Sequence, residues 1–407
     1  LAEISGHFEI STLEAALAAV VAHHEALRWH FTNDEAGWQC HTIPDVAEIP
    51  FAYVDFSDKW ARSQRKAIEE ATDQWQASLH LSNGPLWRAA YFDLGLDRAH
   101  RLLIIAHQLI ADEASLRILL DDWLTAYRQM RHIEPIALPP VTTSYQEWWQ
   151  SRGERAIPEE NQHWQRFRSE SWPSLPIDHP DGTNTYGSID RVFVSLNSKE
   201  TDSLLHHVPT ITEADVNEVV LTALTLALSQ WANQKTVCVE VERNARKVSP
   251  PDVTRTIGWF STKFPLGVEI NNPADVAASL DAVKSSLRTT PQQGLNYGSW
   301  YYQQARTAAP GNLPHPQVSF KYLDFAAPET TWQVAPEAVG HEHHSNNQRP
   351  VTIAVSATMN LNMMEFRWEY AREQFEQNNI GHLVNSFIGE LRHLIQQYSQ
   401  QSARSGD

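Results

Sequence analysis

The sequence predicts a mixed α/β fold built as two lobes, and three observations carry that expectation. Strand-like and helix-like stretches alternate along the chain, the alternation recurs in both halves, and two proline-rich stretches mark a crossover between them. At 407 residues the chain is longer than a single hydrophobic core ordinarily organises. With 42% hydrophobic and 20% charged residues, the composition is that of a folded chain rather than a disordered one.

The elements follow in order. Residues 11–31, "STLEAALAAVVAHHEALRWHF", place apolar residues at helical spacing behind a Ser11-Thr12 cap with Glu14 in the first turn. A second helix is expected in "KWARSQRKAIEEATDQWQASLHL", and strands in "WRAAYFDL" and "RLLIIAHQ", bounded by Gly84-Pro85 and the turn "GLDRAH". Leu116, Leu119, Leu120, Trp123, Leu124 and Tyr127 then recur at the spacing of a helix laid on a sheet, with Asp112 or Ser115 as its cap.

Prolines cluster in "IALPPVTTSYQEWW" and "SWPSLPIDHPDG" around a helical "EENQHWQRFRS", which puts the boundary between residues 170 and 185. The expected division is an N-terminal lobe 1–175, a C-terminal lobe 176–400 and a polar, linker-like tail 401–407. In the second lobe strands are expected at 190–196 and 236–242 and a helix at 215–234. A helix in "DVAASLDAVKSSLRTT", strands "QVSFKYLDF", "TIAVSATMN" and "MMEFRWEY", and a helix from 373 to 398 follow. No repeat of 20 to 50 residues is visible, which argues against a solenoid or propeller.

A net charge of −17 sets the mean field against nucleic acids and anionic membranes. Cys40 and Cys238 are too few for a disulfide framework and have no metal-type spacing, which favours a reducing, cytoplasmic setting. The sequence shows no apolar run long enough to span a bilayer and no secretory signal. It begins at Leu1, as expected of a piece of a longer polypeptide.

Several stretches occur in a co-linear order that resembles the condensation and epimerization domains of nonribosomal peptide synthetases. They are "AHHEALRWHF", "SLHLSNGPLWRAAYFDLG", "HQLIADEASLRILLDDW", "LPPVTTSYQEW", "NEVVLTALTLALSQW", "VEVERNARK", "TRTIGWFSTKFPL", "GLNYGSW" and "VSFKYLDF". Together they span essentially the whole chain. The crossover, the Thr-x-Gly-Trp-Phe-like loop and the Tyr-Gly stretch look more like the epimerization branch. The resemblance implies two chloramphenicol-acetyltransferase-like lobes in a V-shaped pseudo-dimer, with a tunnel that the phosphopantetheine arm of a carrier protein enters.

Active members of that family carry a His-His-x-x-x-Asp-Gly motif whose second histidine does acid/base or positioning work. The matching residues here are His107, Gln108, Leu109, Ile110, Ala111, Asp112 and Glu113. Gln108 exchanges hydrogen bonds but does not titrate near neutral pH, so it cannot act as the base. Glu113 brings bulk and charge to the glycine position and would narrow the tunnel if it pointed inward. The epimerization branch also has a Glu-Gly-His-Gly-Arg motif. Here it reads Glu242, Arg243, Asn244, Ala245 and Arg246, so the glutamate stays and Arg243 or Arg246 is expected to pair with it and weaken it as a base.

His107 and Asp112 also have plain structural readings, and Asp112 would orient its loop or cap the helix. His341, His343 and His344 in "GHEHHSNNQRP" lack a further ligand at a recognised spacing, so no metal is expected, nor any cofactor of the chain's own. His23 and His24, adjacent on the first helix, read as surface or packing residues. Trp148, Trp149, Trp300 and Tyr301 are candidates for exposed partner anchors.

The expected function is therefore that of a degenerate, catalytically inactive condensation/epimerization-like domain that recruits a trans-acting oxygenase to a carrier-bound substrate. Two families imply this. Interface domains of siderophore synthetases recruit non-haem iron, 2-oxoglutarate-dependent aspartate β-hydroxylases, and X-domains of glycopeptide synthetases recruit cytochrome P450 oxygenases. With 16 Gly and many Gln, Trp and His, the composition leans to the former. A divergent active epimerase or condensation domain is the enzymatic alternative, and a structural spacer the third.

Overall fold

The computed structural model describes residues 1–35, 37–44, 48–152, 158–169, 172–247, 251–307, 316–323, 332–360 and 362–405. The chain forms two compact units. The first comprises Leu1–Gly153, Arg246–Phe260 and Ala327–Glu342, and the second Glu154–Ala245, Ser261–Ala326 and His343–Asp407. A division at 175 and 176 is linear, whereas the chain returns to the first unit twice after leaving it.

The first unit begins with β1 (Ala2–Ile4) and α1 (Ile10–His23). The expected helix over 11–31 ends early: after a 3-10 turn, Glu25–Arg28, the chain extends into β2 (Trp29–Asp34) and hairpins back as β3 (Gly37–Thr42). Aromatic and β-branched residues at 29–32 suit a strand, and Gly37 takes the positive φ of +103° beside the hairpin turn. The Ser11-Thr12 cap is also corrected, because Glu9 is the N-cap and makes no side-chain capping bond.

β4 (Phe51–Asp55), α2 (Ala61–Ala77), β5 (Trp87–Asp93), β6 (His100–Ala106), α3 (Glu113–Arg131) and α4 (Tyr145–Arg152) follow. β6 lies between β1 and β5, and its residues are buried on both faces because Leu102 packs into one core and Leu103 and Ile105 into another. α3 buries Leu119, Leu120, Trp123, Leu124 and Tyr127 in a core shared with α1.

The second unit takes up the chain with α5 (Pro158–Ser169), β7 (Ile189–Ser195), the short α6 (Ser198–Asp202) and α7 (Val208–Thr212), and α8 (Val216–Ala232). α8 is buried on all sides from Asn217 to Ser229, and a capping box starts it: Glu218 N donates to Asp215 Oδ1 (2.7 Å) while Asp215 N donates to Glu218 Oε2 (2.9 Å). β8 (Thr236–Asn244), β9 (Ser261–Glu269), α9 (Val276–Thr289), α10 (Tyr297–Thr307) and β10 (Val318–Leu323) come next.

β11 (Trp332–Val334) belongs to the first unit, where the sheet order is β11-β1-β6-β5-β4. β12 (Ile353–Asn360) and β13 (Met363–Ala371) complete the second sheet, ordered β7-β13-β12-β10-β8-β9. The last helix, α11, runs Gln377–Ser405 rather than 373–398. Residues 399–405 hold no glycine or proline, and Gly406 is the first breaker, so most of the expected tail continues the helix. Residues 406 and 407 lie outside the described residues. No described helix is long and apolar enough to cross a membrane.

Gly294 sits at φ +83°, and a Cβ there would lie 2.0 Å from Cδ1 of the fully buried Phe264. Gly294→Ala is expected to cost about 1–3 kcal/mol through overpacking and an unfavourable φ. A lower urea midpoint at unchanged m-value is the readout.

Candidate functional site

Site construction starts where β6 ends. His107 N donates to Leu86 O (2.8 Å), Ile110 N donates to His107 O (2.9 Å), and Leu109 N donates to His107 Nδ1 (3.2 Å), so residues 107–110 form a tight turn. The acceptor role of Nδ1 leaves Nε2 to carry the hydrogen in the neutral ring. Burial holds the His107 pKa below its ordinary value, so the ring is neutral at pH 7. Ile110 and Ala111 anchor the turn in the core, while Gln108 and Leu109 are exposed.

Asp112 closes the turn and caps α3. Its Oδ1 accepts from Ser115 N (2.8 Å) and Ser115 Oγ (2.7 Å), and its Oδ2 accepts from Phe260 N (3.1 Å) and from Arg246 Nη1. Arg246 also donates through Nη2 to Ser115 Oγ (2.9 Å) and Thr256 O (2.8 Å), and its guanidinium stacks 4.1 Å from the Phe260 ring centroid. Both side chains are nearly sealed from solvent, at 6% and 5% exposure. Gly258 lets this segment approach Tyr145, whose Cδ2 would lie 2.3 Å from any added Cβ. Glu113 is exposed in the first turn of α3, where an acidic residue suits the helix dipole.

The structure thus joins Asp112 and Arg246, and it corrects the expected pairing of Glu242. Strand register decides the partner: Glu242 stands opposite Lys263 on β9 and Lys321 on β10. Lys321 Nζ lies 3.2 Å from Glu242 Oε1, a charge contact without hydrogen-bond geometry, and Lys263 Nζ lies 3.7 Å from Oε2. Arg243 points to the other face of β8, donates to Gln293 Oε1 (3.0 Å) and lies 3.8 Å from Asp215 Oδ2. Arg246 lies beyond the strand, in the 3-10 turn Ala245–Lys247, and Asn244 ends β8 opposite Ser261. Glu242 and Asn244 belong to the second unit.

His341 Nδ1 contacts Asp73 Oδ1 (2.8 Å), and His343 stacks on Tyr186 at 3.9 Å. Of the aromatic candidates, Trp148 and Trp300 are buried, Tyr301 is half-buried, and Trp149 alone is exposed, at 57%.

One cluster escaped sequence reading. His24 Nε2 lies 2.7 Å from Asp122 Oδ2, Arg255 donates to Asp122 Oδ1, and His24 and Asp122 are almost completely buried. With His23 they form the one group of three metal-capable side chains among the described residues, but Asp122 is already engaged by the histidine and the arginine. The available signal was Asp122 itself, a charge inside the apolar stripe Leu119-Leu120-Trp123.

Comparison with known proteins places this geometry in a family. The condensation domain family model matches residues 1–405. The chain is 32% identical over 408 residues to chondramide synthase cmdD of Chondromyces crocatus, and 32% identical over 400 residues to one of the linear gramicidin synthase polypeptides of Brevibacillus parabrevis. These matches cover 97% and 95% of this chain but only 10% and 8% of those much longer proteins. Among solved structures, the epimerization domain from the third module of tyrocidine synthetase B superposes with a TM-score of 0.85 at 25% identity, covering 97% of this chain and 91% of that one. The X-domain from teicoplanin biosynthesis gives 0.72 at 20% identity, covering 98% and 90%. The family model spans nearly the whole chain, and two relatives are 32% identical across it: the chain belongs to the condensation domain family.

Proposed function

We propose that this chain is a condensation-fold domain of a nonribosomal peptide synthetase that has given up acid/base chemistry and recruits a trans-acting oxygenase to a carrier-bound aminoacyl or peptidyl substrate. Gln108 carries the reading: an exposed amide stands where a titrating imidazole is needed, inside a turn whose Asp112–Arg246 frame is complete. Losing a positioned base costs a reaction about 10²–10⁴-fold in rate. The retained frame supports a fold kept for a purpose other than that reaction. Recruitment works by effective concentration, since a weak surface contact suffices when substrate and enzyme are held together.

The favoured partner is a non-haem iron, 2-oxoglutarate-dependent aspartate β-hydroxylase of siderophore synthesis, because the composition, poor in Gly and rich in Gln, Trp and His, leans to that class. A cytochrome P450 is the alternative, since the teicoplanin X-domain has been solved in complex with OxyB, and that X-domain superposes with a TM-score of 0.70 at 20% identity. The carrier's phosphopantetheine arm is the ligand expected to bring the substrate, in the cytoplasm. The chain's net charge of −17 suits a partner with a basic patch.

Calorimetry of the domain against both oxygenase classes encoded beside its synthetase tests this. Micromolar or tighter binding to a β-hydroxylase, weakened by salt, is the expected result. Binding to a P450 instead assigns the X-domain type.

A second reading, a divergent epimerase, is favoured by the 0.85 TM-score to an epimerization domain and by the retained Glu242. Under the recruitment reading the parent chain does not exchange the α-proton of a carrier-bound aminoacyl thioester. Exchange by the parent at a rate equal to or above that of Gln108→His would overturn it. Silence of the parent with gain in the variant identifies a decayed active site.

A further inference from the structure

A pocket of about 130 Å³ opens at the start of β8, wholly within the second unit. Val237, Val239 and Val241 face the core, so Cys238, Glu240 and Glu242 lie on the opposite face of the sheet, with Cys238 in the pocket and Glu242 near the far end of the strand. Gly267 stands opposite Cys238 in register, and its missing side chain admits the Trp172 ring, whose Cη2 would lie 2.3 Å from any Cβ added there. Trp172 is fixed before any ligand arrives: Nε1 donates to Phe167 O (3.1 Å), and the two rings stack at 4.9 Å.

The rim is set by two amides. Gln317 Oε1 accepts from Leu175 N (2.7 Å), and Gln234 Nε2 donates to Ser174 O (3.3 Å). Among the described residues, none of those lining the pocket carries a charge. An ion held here would give up part of its hydration with no counter-charge among the described lining residues, which favours a neutral ligand. The volume is close to that of the engineered cavity of about 150 Å³ that holds one benzene ring, but part of this lining is polar.

We propose that this pocket is a binding site for a small, neutral, single-ring aromatic molecule bearing one hydroxyl or amide-type group, its ring against Trp172 and its polar group toward Thr236 and Cys238. The inference is independent of the oxygenase reading.

Cys238 is a built-in reporter. With Cys40→Ser it becomes the sole thiol, and its alkylation by iodoacetamide is followed by mass spectrometry with and without p-cresol. At about four times its Kd, p-cresol is expected to slow alkylation about fivefold, since the protection factor is 1 + [L]/Kd. Ala232→Leu, which fills the pocket from the end of α8, is expected to abolish the protection.

An alkylation rate unchanged by p-cresol up to its solubility limit overturns the proposal, as does equal protection in a folded Ala232→Leu. Should that variant not fold, the ¹⁹F line width of 4-fluorophenol with the Cys40→Ser protein decides. Broadening reversed by excess p-cresol supports the site, and an unbroadened line overturns it.

Discussion

Replacing Asp112 with alanine is expected to destabilise the protein by about 3–5 kcal/mol, because it strands a buried cation and uncaps a helix at once. Four hydrogen bonds end on this carboxylate, from Ser115 N, Ser115 Oγ, Phe260 N and Arg246 Nη1. Three separate chain segments are tied together by them, and Arg246 has no solvent to turn to at 5% side-chain exposure. Arg246→Met is expected to cost less, since Asp112 keeps its cap and its bond from Phe260. The double variant Asp112→Ala/Arg246→Met should then cost clearly less than the sum of the singles, because the orphan charge is gone. Urea unfolding of all four proteins measures that coupling. Strict additivity would mean that the buried pair is not what anchors the 107–112 turn.

The expectations that held best rested on strong periodicity. α3, α8 and α9 fell where the apolar spacing put them, because helix-spaced burial leaves a long and redundant pattern. The expected first helix ends early for a partly nonlocal reason: residues 29–32 are strand formers, and pairing with residues 37–42 fixes 29–34 as extended. The interleaving of the units was equally invisible. Segments 246–260 and 327–342 return to the first unit through contacts such as Phe260 N to Asp112 and β11 to β1, which no window along the chain contains.

The site was legible where chemistry is local and opaque where it is not. The cap at Asp112 is written in the residues just after it, and Gln108 stands out as the wrong residue in a motif. Sequence proximity points Glu242 to Arg243 or Arg246, whereas adjacent strand residues face opposite ways and the register supplies Lys263 and Lys321 instead. The Asp112–Arg246 pair joins residues separated by 134 positions, and the His24–Asp122 pair joins residues separated by 98.

That second pair gives the other large expected effect, and it comes with a pH signature. Asp122→Ala removes the acceptor for His24 Nε2 and the counter-charge for Arg255, and is expected to cost about 3–5 kcal/mol. Asp122→Asn should cost less, since its amide oxygen still accepts from the ring. Burial holds the pKa of His24 below its ordinary value against the pull of Asp122, so the ring is neutral at pH 7 and donates through Nε2. Its Nδ1 then has no partner among the described residues and is a bare acceptor, a smaller penalty than an orphaned donor or charge.

The sign of the pH effect follows from linkage. The unfolded chain takes up a proton at about pH 6.5 and the folded one only at lower pH, so this contribution is complete above about pH 6.5 and is lost as pH falls toward the folded pKa. His24→Asn removes the titrating group, and its stability should fall less steeply than the parent's between about pH 7 and pH 5. Urea midpoints across that range decide it. A parent whose slope matches the variant's would show that His24 gains no proton on unfolding, and would place the charge balance of this cluster on Arg255 and Asp122 alone.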